Sequence, residues 1–178
     1  MKGILAAFMV PHPPLIVPEI GGGEEKKIQK TIDAYREAAG RIKELKPETI
    51  VILSPHQIMY ADYFHISPGK GARGDFSNFR ARDVKFEVSY DEEFVEELSF
   101  LAAERGLPAG TMGERDKKLD HGTMVPLYFI EQFYHDYQVV RIGLSGLSLA
   151  RHYELGECIR ETAQRLGRRV VIIASGDL

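Results

Sequence analysis

Two histidines occupy the same local pattern, and imidazole is the side chain that most often binds metal ions. His12 follows the apolar run 4–10 and is flanked by prolines, and His56 follows the aliphatic run 49–53 and a single proline. Proline fixes φ and carries no N–H, so each run ends abruptly in a stiff, extended backbone. The repetition predicts that His12 and His56 bind one metal ion. The alternative is that each is an ordinary loop or core residue.

A third histidine precedes a strongly apolar stretch. His121 lies in the sequence Asp-His-Gly, directly before residues 124–133, which predict a buried helix over 124–134. The N-terminal end of a helix favours nearby anions, so His121 is a candidate for contact with a negatively charged group. The alternative is a loop histidine that caps this helix.

The elements that must position His12 and His56 form a predicted β-α-β unit. Strand 3–10 is almost continuously apolar, as expected for a strand covered on both faces. Apolar residues at helical spacing predict a helix over 24–45, and strand 49–53 follows it, parallel to the first through a right-handed crossover. Ligands bind beyond the carboxyl ends of parallel strands, so both imidazoles should face one crevice.

The rest of the chain predicts further strands and helices. Residues 84–88 alternate like a strand with one wet face, and the glycine-rich, basic segment 68–74 predicts a mobile surface loop. The other predicted elements are a strand within 60–66, a helix over 91–105 capped by Asp91, a strand over 138–144, a helix over 148–166 and a strand over 170–174. The predicted fold class is α/β, with a mainly parallel central sheet flanked by helices and one antiparallel excursion.

Composition narrows the classes of partner and compartment. The 178 residues suit one domain, 1–178, and the net charge of −3 gives no reason to expect nucleic acid or an anionic membrane. The first apolar run is too short to span a bilayer and lacks a cleavage site, so the expected location is cytoplasmic. The single Cys158 excludes an internal disulfide and a cysteine-based zinc site.

Because the chain stops just after its last strand, we expect the domain to be incomplete at its C-terminus. It should then associate with copies of itself or with the remainder of the same polypeptide.

The three histidine motifs, taken together, resemble one known family. Pro-His12-Pro, Ser-Pro-His56, and Asp-His121-Gly followed by Met-Val-Pro-Leu resemble the class III extradiol dioxygenases, the LigB-type catalytic subunits, to which Memo-like proteins are related. The resemblance covers nearly the whole chain. It implies a non-haem Fe(II) ion held by two histidines, matching His12 and His56, and by one carboxylate. It places His121 beside the metal, and it places the acid/base histidine and the glutamate ligand beyond Leu178.

This resemblance implies the opening of an aromatic ring. Two imidazoles and a carboxylate on one face of Fe(II) leave three positions open for a catechol-type diol and O₂. The metal lowers the pKa of the bound hydroxyl, and His121 could stabilise developing oxygen charge by hydrogen bonding. Two alternatives stay open, because two histidines and a water do not select iron: a non-catalytic Memo-like metal- or ligand-binding or interaction domain, and a zinc- or nickel-dependent hydrolase.

The remaining histidines and carboxylates are weaker candidates. His65 lies in an alternating strand and His135 in a turn, so both are predicted to be surface residues on wet faces, whereas His152 is predicted to be a structural residue in the first turn of a helix. The candidate carboxylates for completing a metal site are Asp62, Asp75, Asp120 and Asp177. Asp177 is the most plausible of them because it follows a predicted strand.

Overall fold

The computed structural model describes residues 2–177, so the first and last residues of the predicted domain, Met1 and Leu178, lie outside the described residues. The strands and helices, in chain order, are β1 (Gly3–Pro11), α1 (Pro18–Gly21), α2 (Gln29–Leu45), β2 (Thr49–Ser54), β3 (Phe64–His65), β4 (Gly71–Phe76), β5 (Ala81–Ser89), α3 (Glu92–Glu104), β6 (Ala109–Gly110), α4 (His121–Ile130), β7 (Gln138–Gly143), α5 (Leu149–Arg165) and β8 (Arg169–Gly176). Among the described residues, none of the helices combines the length and apolar character that a membrane crossing requires.

A parallel sheet of four strands forms the centre of the molecule, in the order β1-β8-β2-β7. The predicted α/β class with a mainly parallel sheet is confirmed. β1 and β2 are parallel, as predicted, but they are not neighbours, because β8 lies between them. Since all four strands run the same way, Pro11, Ser54, Gly143 and Gly176 end at one edge of the sheet.

Helices cover both faces of this sheet, and alternate side chains of β2 show the two layers. Ile50 and Ile52 pack into a core with α2 and α4, whereas Val51 packs into a core with α3 and α5. Successive side chains of a strand point to opposite faces, so an uninterrupted aliphatic strand supplies both cores. All three side chains are fully buried.

The antiparallel excursion is the pair β4–β5, and it corrects one prediction. The glycine-rich segment 68–74 is not wholly a surface loop, because its second half forms the start of β4. A Cβ on Gly71 would collide with the backbone carbonyl of Val88 on β5, so glycine is needed here for the close approach of the two strands. Glycine-rich composition alone had indicated a loop. The strand predicted within 60–66 is reduced to the two residues of β3, which pair with β6.

Two helix boundaries also differ from the predictions. The helix expected over 24–45 begins as a 3-10 turn over 24–28 and becomes α-helical at Gln29. The helix expected over 124–134 starts earlier, at His121, because the Asp120 side chain accepts a hydrogen bond from the backbone N–H of Thr123. Such an N-cap satisfies a free N–H of the first turn, and it makes His121 the first residue of α4.

Candidate metal centre

His12 and His56 approach each other at the carboxyl edge of the central sheet. Their Nε2 atoms are 3.0 Å apart, and their rings meet edge to face with centroids separated by 4.8 Å. His12 directly follows the parallel strand β1, and His56 lies in the turn that follows the parallel strand β2. The His12 ring is buried, with 2% of the residue exposed. The structure therefore brings these two predicted residues into one crevice.

His121 joins this pair from the start of α4. Its ring centroid lies 3.9 Å from that of His56 and 5.4 Å from that of His12. One nitrogen from each of these histidines can be chosen so that all three lie within 4.8 Å of one another. The rings of Phe79 and His121 also meet edge to face, with centroids 5.3 Å apart. The three histidines singled out in the sequence thus form one cluster.

The separation of His12 and His56 fits two ligands of one metal ion. Imidazole nitrogens bind a divalent ion at about 2.0–2.1 Å, so two such ligands at right angles lie about 3 Å apart. The observed Nε2–Nε2 separation of His12 and His56 matches this value. Binding also requires neutral imidazole. Burial, and then the neighbouring His56, lower the pKa of both His12 and His121, so both rings are neutral at pH 7.

The four candidate carboxylates lie in different surroundings. Asp177 Oδ1 is 3.2 Å from His12 Nε2, on a side chain that is largely exposed. Asp120 is instead engaged in capping, since Oδ1 accepts hydrogen bonds from the Ser54 hydroxyl and the Thr123 N–H. Asp75 accepts a hydrogen bond from the N–H of Ser77, and Asp62 is exposed. Asp177 is the one of these four that reaches His12.

A cavity of about 340 Å³ opens beside two of the histidines, His56 and His121. Its apolar walls are Ile58, Phe79, Leu119 and Met124, and its charged lining includes Asp75, Asp116, Lys118 and Arg141. This volume lies at the small end of the range for sites that enclose small molecules. Apolar walls and charged side chains therefore share the lining of this cavity.

Arg141 is a buried cation in the lining of this cavity, and none of the sequence motifs pointed to it. Its Nε donates to the side-chain oxygen of Gln57, and its terminal nitrogens donate to the Tyr90 hydroxyl at 3.3 Å and to the Asp116 carbonyl at 3.4 Å. Its Nε lies 3.7 Å from Asp120 Oδ2. An arginine in the middle of an aliphatic strand, Val-Val-Arg-Ile, was the available sequence signal, because burial of arginine requires such partners.

His65 corrects a prediction, because it is fully buried rather than at the surface. Its Nδ1 lies 3.1 Å from the amide nitrogen of Gln57, which also donates to the Ser67 hydroxyl. Burial, and then the charge of Arg141, lower the pKa of His65 to about 4. The alternation of residues around His65 suggested a wet face, but β3 is enclosed through its contacts with β6 and β7.

The other two histidines lie away from the cluster. His135 is exposed, as predicted. His152 has its ring edge to face with Phe64, at a centroid distance of 4.7 Å, and its Nδ1 is 3.1 Å from the Ser148 carbonyl. These contacts agree with a structural role for His152 at the start of α5.

Comparisons with known proteins point to one family. The family model for the catalytic LigB subunit of aromatic ring-opening dioxygenase matches residues 6–178. Protein CA_C1420 of Clostridium acetobutylicum is 38% identical over 96% of this chain and 38% of its own length. The 2-aminophenol 1,6-dioxygenase beta subunit of a Pseudomonas species is 28% identical over 98% of this chain and 62% of its own.

More distant similarities extend the same picture. The 3,4-dihydroxyphenylacetate 2,3-dioxygenase of Escherichia coli is 24% identical over 99% of this chain and 66% of its own length. A MEMO1 family protein of Methanocaldococcus jannaschii is 29% identical over 82% of this chain and 47% of its own. The chain thus spans between about two fifths and two thirds of the length of these relatives.

Proposed function

This chain belongs to the LigB family of aromatic ring-opening dioxygenase catalytic subunits, and from that membership we propose that it carries the metal centre of an Fe(II)-dependent extradiol dioxygenase. The observation that carries the proposal is the 3.0 Å approach of His12 Nε2 to His56 Nε2 beside the cavity. The proposed reaction opens the ring of a catechol-type substrate with O₂.

We assign the metal to His12 and His56. Both imidazoles sit on stiff, proline-containing turns at strand ends, so little conformational freedom is lost when they bind an ion. When bound there, Fe(II) would lower the pKa of a coordinated substrate hydroxyl and allow O₂ to react. Asp177 is the carboxylate within residues 2–177 that approaches His12 Nε2, and we propose it as an additional contact to the ion.

We assign the catalytic hydrogen bond to His121. Its ring lines the cavity together with His56, and its edge-to-face contact with Phe79, a wall of the same cavity, limits its rotation. Because the pKa of His121 is lowered by burial and by the neighbouring histidines, the ring is neutral and offers one N–H donor. That donor, at the N-terminal end of α4, is placed to stabilise negative charge that develops on an oxygen atom in the cavity.

The cavity walls indicate the kind of substrate. Ile58, Phe79, Leu119 and Met124 give apolar surface against which one aromatic ring can pack. The two dioxygenase relatives are named for a 2-aminophenol and a 3,4-dihydroxyphenyl compound. Both compounds carry two adjacent donor groups on a ring, so we propose an ortho-diol or ortho-aminophenol as the substrate class.

The test is anaerobic loading of the full-length protein with Fe(II), followed by O₂ uptake with catechol and 2-aminophenol. We expect stoichiometric iron, uptake of dioxygen and a coloured ring-opened product. His12→Ala and His56→Ala should abolish iron binding, whereas His121→Phe should retain iron and lose turnover. The exposed His135→Ala is the matched control and should behave as the parent. Full iron occupancy in the His12→Ala, His56→Ala double variant would overturn the site assignment.

The second candidate is the non-catalytic Memo-like domain that the sequence resemblance left open, which would bind a metal or small ligand, and the similarity to a MEMO1 family protein keeps this candidate in view. The same experiment separates the two functions. Metal bound at His12 and His56 with no oxygen uptake on any ortho-diol supports the binding domain. Tight zinc with hydrolytic activity would instead support a zinc-dependent hydrolase, since the two imidazoles fit both metals.

A further inference from the structure

We propose that Ser175 is a positioning residue that holds His12 in the tautomer with its proton on Nδ1. The Nε2 lone pair of His12 is then directed at the histidine cluster, where a metal ion can bind. The tautomer follows from hydrogen bonds in the structure, and its importance for metal binding rests on the proposed function of His12.

The direction of the hydrogen bonds fixes the tautomer. Ser175 Oγ lies 2.6 Å from the carbonyl oxygen of Gly122, and a carbonyl oxygen only accepts hydrogen bonds, so the single hydroxyl hydrogen of Ser175 is used there. Ser175 Oγ also lies 2.9 Å from His12 Nδ1. With its hydrogen committed, the hydroxyl can only accept from His12, so Nδ1 must carry the proton.

The Gly122 carbonyl is available because of a proline in the same helix. In α4, the carbonyl of Gly122 would pair with the N–H four residues later, but that residue is Pro126, which has no N–H. A buried carbonyl without a partner is costly, and the Ser175 hydroxyl satisfies it from the neighbouring strand. The proline in Met-Val-Pro-Leu therefore directs the Ser175 hydroxyl and, through it, His12.

Without Ser175, the surroundings of His12 favour the other tautomer. Its Nε2 is 3.2 Å from Asp177 Oδ1 and 3.0 Å from His56 Nε2, and each of these two atoms can accept a hydrogen bond from a protonated Nε2. A proton on Nε2 would block metal binding at that nitrogen. His12 and Ser175 are 2% and 6% exposed, so water cannot readily replace the hydroxyl at Nδ1. A partner that fixes the ring and tautomer of a metal-binding histidine typically changes metal affinity by about 10–100-fold.

The first test reads the tautomer directly in the metal-free chain. Ser175→Thr keeps the hydroxyl and Ser175→Val replaces it with a methyl group of similar size, so any strain from the added branch is shared by both variants. Nitrogen-15 NMR of the imidazoles should show His12 protonated at Nδ1 in the parent and in Ser175→Thr. In Ser175→Val, the proton should move substantially to Nε2. An unchanged Nδ1–H tautomer in Ser175→Val would overturn the proposal.

The second test measures metal affinity with Fe(II), and with Co(II) as a spectroscopic probe. We expect Ser175→Val to bind about 10–100-fold more weakly than Ser175→Thr, with an altered Co(II) absorption spectrum. Equal affinity of the two variants would overturn the positioning role. If the parent chain binds neither metal, the proposed function fails, whereas the NMR comparison still decides whether Ser175 sets the tautomer.

Discussion

The Ser54 hydroxyl donates a hydrogen bond to Asp120 Oδ1 at 2.5 Å and thereby joins the end of β2 to the start of α4. The same Ser54 oxygen accepts the backbone N–H of His56 at 3.2 Å. Asp120 in turn caps the helix that His121 begins. The Asp120 carboxylate therefore caps the helix that His121 begins and is connected, through Ser54, to the loop that carries His56.

Asp120→Asn tests this connection. An amide has one acceptor oxygen instead of two, so at least one of the hydrogen bonds that Asp120 accepts from Ser54 and Thr123 is lost. We expect the unfolding free energy to fall by about 1–3 kcal/mol and metal binding to weaken. Asp91→Asn is the matched control, because Asp91 caps α3. Urea unfolding should show that both variants are destabilised. Metal titration should show a loss in Asp120→Asn only, and an equal loss in both would count against a specific role for Asp120.

Gly122→Ala should disturb the cluster through a single methyl group. A Cβ at this position would collide with the Ser54 hydroxyl and would lie 3.1 Å from Asp120 Oδ1 and 3.3 Å from His56 Cδ2. Overpacking of this kind costs about 1–3 kcal/mol, and displacement of His56 should weaken metal binding. Thermal unfolding and metal titration provide the measurements.

The control for this substitution is Gly156→Ala in the middle of α5. Among residues 2–177, no side-chain or neighbouring backbone atom lies within 4 Å of a Cβ at Gly156, so alanine should stabilise the helix by about 0.5–1 kcal/mol. Metal affinity should be unchanged in this variant. Normal metal binding by Gly122→Ala would show that the first turn of α4 can shift without affecting the histidines.

His65 should make the stability of the fold dependent on pH. The amide of Gln57 donates to Nδ1, and within residues 2–177 the buried Nε2 has no hydrogen-bond partner, so a second proton on the ring is disfavoured. The folded pKa is about 4, against an ordinary value of 6.5. The unfolded chain therefore binds the proton first as pH falls, and the stability that His65 contributes is present above pH 6.5 and lost towards pH 4.

The measurement is urea unfolding of the parent and of His65→Asn at several pH values. Asparagine retains an acceptor for Gln57 but does not titrate. Between pH 8 and pH 5 the parent should lose about 2 kcal/mol more than the variant does. Parallel pH profiles for the two proteins would contradict the lowered pKa of His65.

Asp177→Asn tests the carboxylate next to His12. Asp177 Oδ1 and His12 Nε2 are 3.2 Å apart. Both atoms carry lone pairs, so a cation bound between them is stabilised by electrostatic attraction to each. We expect the neutral amide to weaken metal binding about tenfold, which corresponds to about 1.4 kcal/mol. Glu24→Gln, on an exposed residue at the start of the 3-10 turn, provides a charge-matched control. Identical metal affinities of Asp177→Asn and the parent would remove Asp177 from the site.

The local sequence determined the parts of this protein that depend on short-range physics. Aliphatic runs gave the strands, helical spacing gave the amphipathic helices, and Asp91 was correctly predicted to cap α3. Proline after an apolar run placed His12 and His56 at strand ends. Because parallel strands end at one edge, their meeting in one crevice followed from the same local evidence.

The tertiary structure decided the contacts that depend on the order of the strands in the sheet. The insertion of β8 between β1 and β2 places Ser175 beside His12, although the two residues are 163 positions apart in the chain. The enclosure of β3 buried His65, whose alternating neighbours had suggested a wet face. Strand order and burial arise from packing across long sequence separations, which local propensity does not encode. The sequence therefore identified the histidines, and only the fold showed which residues hold them in place.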